Sequence, residues 1–263
     1  MSRSKQPVEA KDLPHWVNPY FEQAYESQML LAQVVSVSRR GMAGVVEMPR
    51  LSKAVARVSG KERTPEHIAA LEEEAALAKS EVEKDFPVLH SLAAIGLWSW
   101  LEHLVKGLAV EWLLHNKKSL AEPAFQKLKI KIGEYAVLTR REQAAYLVEL
   151  LEQDTSASLK QGINRFESIL QCIDLSGKVS DRTARSIFEL QQIRNVIAHR
   201  NGVCDRRLRT SCPWLKYKIG QPIKIGASQL GSYVVATTDY ALSILFRVGD
   251  RYGVELRSHA DDT

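Results

Sequence analysis

The sequence predicts an all-α protein, and three kinds of signal support that class. Apolar residues recur at helical spacing in several stretches, capping residues precede three of the expected helices, and one short stretch alone alternates with the period of a strand. The chain has 263 residues, enough for one large domain or for a domain with a helical extension. Its 45% hydrophobic and 25% charged residues are typical of a globular protein.

The N-terminal stretch is polar and rich in proline up to about Pro19, so we expect a tail there. Apolar side chains recur at helical spacing from Tyr20 to Arg40, which predicts the first helix. Gly41 and Gly44 interrupt the pattern, and we expect residues 42–60 to form a loop with at most a short helix.

The next helix should begin at Thr64–Glu66, where a hydroxyl cap, a first-turn proline and an acidic side chain follow one another. Pro87 marks a break, and a long apolar helix is expected from about Val88 to His115. The run Ser91–Leu114 is long enough to span a bilayer, but it contains four ionisable side chains that are costly in hydrocarbon. We therefore interpret it as a buried core helix. The four are Glu102, His103, Lys106 and Glu111.

Residues 125–135 alternate lysines with apolar side chains, which favours an extended segment. Thr139 and Glu142 have the spacing of a capping box and predict a helix to about Gln153. A further helix is expected over Ser158–Ile173.

Ser180–Asp181 can cap the next helix, which should run to His199 or Arg200 and end at Gly202. The last helix is expected over Ser228–Val248.

The end of the helix before Gly202 carries polar side chains beside an apolar face. Asn195 and His199 are four residues apart and lie on one side, whereas the directions of Arg194 and His199 differ by about 140°. Two copies of the helix related by a two-fold axis would place two arginines and two histidines around one groove. A plainer alternative is that these residues only stabilise the C-terminal end of the helix.

An arginine and a histidine together suit metal-independent RNA cleavage. His199 would accept the proton of a ribose 2′-hydroxyl, Arg194 would stabilise the charge on the five-coordinate phosphorus, and Asn195 would orient the histidine or a phosphate oxygen. This chemistry needs no cofactor or metal, because the nucleophile belongs to the substrate.

The stretch "RNVIAH", Arg194 to His199, resembles the arginine–histidine signature of HEPN domains. The run Leu97–Leu108 resembles the earlier long helix of that family, which carries a glutamate, and Glu102 would hold that place. The resemblance covers about Phe86 to Gly249. It implies an all-α bundle, a homodimer and often an endoribonuclease of toxin–antitoxin or anti-phage systems. By similarity Arg194 and His199 would be catalytic and Asn195 supporting.

On this basis we expect Glu102 to have a supporting role, holding Arg194 or His199 by charge. The alternative is a carboxylate paired with another lysine or arginine. The N-terminal extension lies outside the resemblance and would set specificity, contact a partner or extend the bundle. The expected divisions are a tail over 1–19, an extension over 20–85, a HEPN-like domain over 86–250 and a tail over 251–263.

The segment after the signature is strongly basic, with six cations against the single acid Asp205, and Trp214 and Tyr217 are interleaved with them. Such a segment suits a phosphate track with stacking surfaces for RNA, or else a solvated surface loop. The six cations are Arg200, Arg206, Arg207, Arg209, Lys216 and Lys218.

The three cysteines indicate no disulfide framework, and together with the absence of an apolar leader they favour a cytoplasmic protein. His199 and the nearby cysteines lack the spacing of a zinc site. The partners expected are RNA, a second copy of the chain, and an antitoxin or defence-complex protein, with no membrane. The rival function is a non-catalytic HEPN-like module that binds RNA or nucleotide or joins a complex.

Overall fold

The computed structural model describes residues 12–60, 63–155 and 159–256. These ranges contain ten α-helices and no β-strand, so the predicted all-α class is confirmed. The helices are α1 (Val17–Ser59), α2 (Pro65–Glu83), α3 (Pro87–His115), α4 (Pro123–Gln126), α5 (Ile132–Tyr135), α6 (Arg140–Asp154), α7 (Ile163–Gln171), α8 (Asp181–His199), α9 (Arg206–Ser211) and α10 (Ala227–Tyr252).

The predicted helix starts are confirmed where a local capping signal was present. The Thr64 hydroxyl accepts a hydrogen bond from a first-turn amide at 3.3 Å. Thr139 and Glu142 form both hydrogen bonds of a capping box. The Ser180 hydroxyl accepts from the Thr183 amide at 3.1 Å, which caps α8. Each start was predictable because the capping hydroxyl and the amide that donates to it lie within one turn.

The prediction for the N-terminal region is wrong in one respect, since α1 is a single helix of 43 residues. It includes residues 17–19 of the expected tail and residues 42–59 of the expected loop. Gly41 and Gly44 weaken a helix by about 1 kcal/mol each relative to alanine, which is too little to end a helix of this length. Pro49 also lies inside α1.

The expected extended segment over 125–135 is also wrong. It contains α4 and α5, each of four residues, joined by non-helical backbone without a strand partner among the described residues. An alternating pattern forms a strand only where another strand can pair with it. The later helix, α7, is shorter than expected and begins at Ile163, and Ser158 lies outside the described residues.

The chain forms two compact units whose limits do not follow the expected boundary near residue 85. Among the described residues, the first unit comprises 12–26, 100–188 and 236–256, and the second comprises 27–99 and 189–235. The core of the first unit includes Leu101, Leu108, Phe166, Ile169 and Ile244, all 0% exposed. In the second unit the least exposed side chains include Ala94, Trp98, Leu190, Ile193 and Ile225.

Helix α3 supplies core residues to both units. By length and composition alone it could cross a membrane, but half of its most apolar window is buried inside the protein. Trp98 and Trp112 are 1% and 3% exposed, and Trp100 is half-buried. This burial supports the interpretation of α3 as a core helix.

Candidate functional site

Helix α8 presents one apolar face to the interior and leaves its C-terminal end accessible. Ile187, Leu190 and Ile193 are fully buried, and so are the polar side chains of Gln191 and Gln192. Exposure then rises along the last turn to Ala198 and His199. The helix therefore carries its polar signature from the core to the surface within two turns.

Arg194 is half-buried, and its guanidinium has little compensation within the chain. Its Nε is buried without a hydrogen-bond partner, and Nη1 donates to Asn195 Oδ1 at 3.3 Å. Among the described residues, no carboxylate oxygen lies within ion-pair distance of it. A guanidinium has five N–H donors and keeps its charge at all relevant pH values. Arg194 therefore retains donors and positive charge for a ligand outside the chain.

His199 is the last residue of α8, and its side chain is exposed. Within the described ranges, the imidazole forms no hydrogen bond and no ion pair. The structure thus joins two of the three predicted catalytic residues, Arg194 and Asn195, and leaves His199 without a link to either. One helix cannot aim Arg194 and His199 at a single point directly, because their directions differ by about 140°.

Helix α8 ends as its sequence predicted, at a left-handed turn. Asn201 and Gly202 have φ values of +52° and +69°, a region that glycine enters without steric cost. The Gly202 amide donates to the Val196 carbonyl at 3.2 Å and satisfies one free carbonyl of the last turn. This turn fixes the direction in which the chain leaves His199.

The basic segment after the turn is folded back on itself. Ile223 donates its amide proton to the Gly202 carbonyl at 2.8 Å, and Cys204 exchanges backbone hydrogen bonds of 2.9 Å with Gly220 and Gln221. The segment between these ends includes α9, which starts where Asp205 accepts from the Leu208 amide at 2.8 Å. The expected loop is therefore a structured segment whose two ends are hydrogen-bonded to each other, and we call it the basic segment (residues 203–222).

All six predicted RNA-binding cations are exposed. Among the described residues, Arg200 is the one of the six with an ion-pair partner, since its Nε lies 3.7 Å from Asp205 Oδ2, and its side chain is 66% exposed. A pair so open to water contributes little energy and exchanges easily for another anion. The six are Arg200, Arg206, Arg207, Arg209, Lys216 and Lys218.

The two aromatic residues of the basic segment are half-buried and anchored by their polar atoms. The Trp214 indole N–H donates to Glu189. The Tyr217 hydroxyl donates to the Lys224 carbonyl at 2.7 Å, and burial raises the pKa of this hydroxyl above its usual value. These bonds fix the orientation of both rings, and stacking on bases stays a prediction.

Sequence reasoning missed a group of hydrogen-bond donors around one carboxylate, Glu189, which binds the basic segment through Trp214. Glu189 is half-buried and accepts hydrogen bonds from the Tyr233 hydroxyl at 2.7 Å, from Gln229 at 2.9 Å and from Trp214. Burial, and then the charge of Glu189, raises the pKa of Tyr233 far above its usual range. The available signal was a glutamate among the buried positions of α8, but its three donors lie on distant parts of the chain.

Glu102 does not hold Arg194 or His199, so that expectation is corrected. Its Oε1 lies 2.9 Å from Arg165, which also binds Glu152 at 2.9 Å, and Lys106 lies 2.6 Å from Glu152. Burial disfavours the charge on Glu152, but the hydrogen bonds from Lys106 and Arg165 outweigh it and lower its pKa. Glu102 is thus a carboxylate of a structural ion-pair network, the alternative that the sequence left open.

Comparison with known proteins adds no family to this geometry. No family model, no curated protein and no solved structure matches the chain. Among the described residues there is also no cluster of three or more side chains suited to hold a metal ion.

Proposed function

We propose that the protein is a metal-independent endoribonuclease of HEPN type, acting through Arg194 and His199. The observation that carries the proposal is the state of Arg194. Its guanidinium is half-buried, and among the described residues its Nε has no partner and its one hydrogen bond goes to a neutral amide. A phosphate that binds there would supply the negative charge and the hydrogen-bond acceptors that the guanidinium lacks.

In this mechanism the exposed His199 imidazole accepts the proton of a ribose 2′-hydroxyl. The freed oxygen attacks the adjacent phosphorus, and Arg194 stabilises the negative charge that develops on the phosphoryl oxygens. The bond to the 5′-oxygen then breaks, and an imidazolium returns a proton to that oxygen. The products are a 2′,3′-cyclic phosphate and a 5′-hydroxyl. Asn195, bonded to Arg194, holds the guanidinium in place.

Two chains supply the site in this proposal. Because Arg194 and His199 project from α8 in different directions, the histidine of one copy and the arginine of another would meet at one phosphate. Arg200, directly after His199, and the exposed cations of the basic segment would bind the flanking phosphates. In the cytoplasm, an antitoxin or a defence-complex protein would inhibit the RNA cleavage.

The proposal is tested by incubating purified protein with mixed RNA in EDTA. We expect cleavage that is lost in Arg194→Ala and in His199→Ala and retained in Arg182→Ala, which removes an exposed charge from the same helix. End-group analysis should detect cyclic phosphate. Cleavage that persists in both site variants would show that another nuclease is responsible and would refute the assignment.

A second candidate function is RNA or nucleotide binding without cleavage. It is favoured by the His199 imidazole, which no hydrogen bond orients in the described chain. In that case RNA binding should fall in Arg194→Ala, no RNA should be cut by the wild type, and His199→Ala should bind as the wild type does. Easier expression of His199→Ala than of the wild type would instead support a restrained nuclease.

A further inference from the structure

Helix α1 carries a regular apolar row on its outer face. Nine positions follow one another at alternating intervals of four and three residues, and every one of them is exposed. We call this row the α1 seam. Its members are Leu30, Val34, Val37, Gly41, Gly44, Met48, Leu51, Val55 and Val58.

A repeat of 3.5 residues is the pattern by which one helix packs lengthwise against another in a coiled coil. The seam extends over about 42 Å of helix, or four heptads. Its seven large side chains are between 43% and 91% exposed. The chain itself packs on a different face, where Gln28 is buried and Leu31 and Val35 are half-buried. So long an exposed apolar row marks an interaction surface.

The two glycines in the middle of the seam support a close helix–helix crossing. Each weakens α1 relative to alanine by about 1 kcal/mol. No close contact within the chain requires them, because a Cβ added at Gly41 or Gly44 would meet nothing within 4 Å. Small residues at this place let a second helix approach the backbone.

We propose that the α1 seam binds the α1 seam of a second copy of this chain, antiparallel, with the two-fold axis between Gly41 and Gly44. In this register large side chains of one end meet large side chains of the other, and the glycines meet at the centre. The facing pairs are Leu30 with Val55, Val34 with Leu51, Val37 with Met48, and Gly41 with Gly44.

Charge selects the second copy and the antiparallel direction. Arg40 and Glu47 are exposed and flank the seam on the same side. In an antiparallel pair, Arg40 of each copy faces Glu47 of the other, which gives two opposite-charge contacts. In a parallel pair, Arg40 would face Val45 and Glu47 would face Ser52, and neither contact is ionic. Within the chain Glu47 forms an open pair with Arg50 at 3.7 Å, which a partner can replace.

This interface depends on α1 alone and not on the proposed nuclease activity. Seam substitutions leave Arg194 and His199 in place, so the assembly can fail or hold independently of RNA cleavage. Two different surfaces then join copies if both proposals hold, one at α1 and one at the end of α8.

The first test is the molar mass in solution, measured by light scattering across a concentration series. We expect the wild type to reach at least twice the chain mass of 29.6 kDa. Val37→Glu should shift dissociation to at least tenfold higher concentration. Leu77→Glu, at an equally apolar and 70% exposed position of α2, is the matched control and should leave assembly unchanged. A monomeric wild type, or Val37→Glu that assembles as the wild type does, overturns the proposal.

The second test reads the direction of the helices. Leu30→Cys and Val55→Cys should each resist oxidative cross-linking alone and should cross-link when the two variants are mixed. Arg40→Glu and Glu47→Arg should each weaken assembly, and the double variant should restore it. Cross-linking of Leu30→Cys with itself, or a double variant weaker than both single ones, overturns the antiparallel pairing.

Discussion

Arg165 and Arg194 are buried to a similar degree but differ in the groups that their guanidinium nitrogens contact. Both side chains are half-buried, and in both the Nε is buried without a partner. Arg165 directs its two terminal nitrogens at Glu102 and Glu152, each at 2.9 Å, whereas Arg194 reaches one amide oxygen at 3.3 Å. The chain therefore neutralises the first charge and leaves the second for a ligand. The comparison separates an arginine that stabilises the fold from one that is available for function.

The comparison fails at once if Arg194 is dispensable for activity. Arg194→Ala should lower kcat/KM for RNA by roughly 100- to 1000-fold, the loss typical of one transition-state donor. The free energy of unfolding should change little, because no carboxylate is left unpaired. Arg194→Lys should recover only part of the rate, since lysine lacks the planar fork. Cleavage kinetics measure the expected loss of kcat/KM, and urea unfolding of the same preparations measures the free energy of unfolding.

The converse holds for Arg165, whose removal takes the ion pair from Glu102 and leaves Glu152 paired with Lys106. Arg165→Met should lower the free energy of unfolding by about 2–3 kcal/mol, somewhat below the value for fully buried pairs because these side chains are partly exposed. Pairing it with Glu102→Gln should recover part of the loss. Urea denaturation monitored by circular dichroism measures the change. A loss as small as that of an exposed arginine such as Arg182 would contradict the contrast.

Stability at acidic pH tests the ion pairs of Glu152, the carboxylate that binds Arg165. The folded chain lowers the pKa of this carboxyl, so its contribution to stability is fully present above the ordinary glutamate pKa of about 4.3 and is lost as the pH falls through the lowered value. Glu152→Gln should therefore be less stable than the wild type at neutral pH and should lose less stability on acidification. Unfolding curves at neutral pH and in steps below pH 5 test the sign. A parallel decline in the two proteins would contradict it.

The smallest effect is expected at Asn195, the side chain to which Arg194 donates a hydrogen bond. Asn195→Ala removes one half-buried bond of 3.3 Å and should cost about 0.5–1 kcal/mol of unfolding free energy. The rate of RNA cleavage should fall more than the stability, because Arg194 loses its orientation. An unfolding loss equal to that of Arg165→Met would mean that Arg194 is held structurally after all.

Local signals explain which parts of this structure were predictable. The cap at Thr139 and Glu142 and the helix end at Gly202 depend on residues within one turn, and both are confirmed. The continuation of α1 through Gly41 was not predicted, because the weak local preference of a glycine costs a long helix only about 1 kcal/mol. The partner of Glu102 is tertiary, because α7 brings Arg165 to it from a distant part of the sequence.

The candidate site follows the same rule. The polar composition of the α8 end and the exposure of its cations were predictable, because helical geometry assigns each residue a side. The folding of the basic segment and its attachment to Glu189 were not, since Trp214, Gln229 and Tyr233 reach that carboxylate only in the folded chain.

The basic segment leaves and rejoins the scaffold at almost one point, because Gly202 and Ile223 are bonded to each other at 2.8 Å. A stretch closed at its base can be lengthened, shortened or exchanged for another without moving what lies on either side. Under the proposed function, substrate preference could then vary here while Arg194 and His199 stay unchanged. Grafting a foreign hairpin between Gly202 and Ile223 is expected to change which polyanion the proposed nuclease binds and to leave the proposed cleavage step intact.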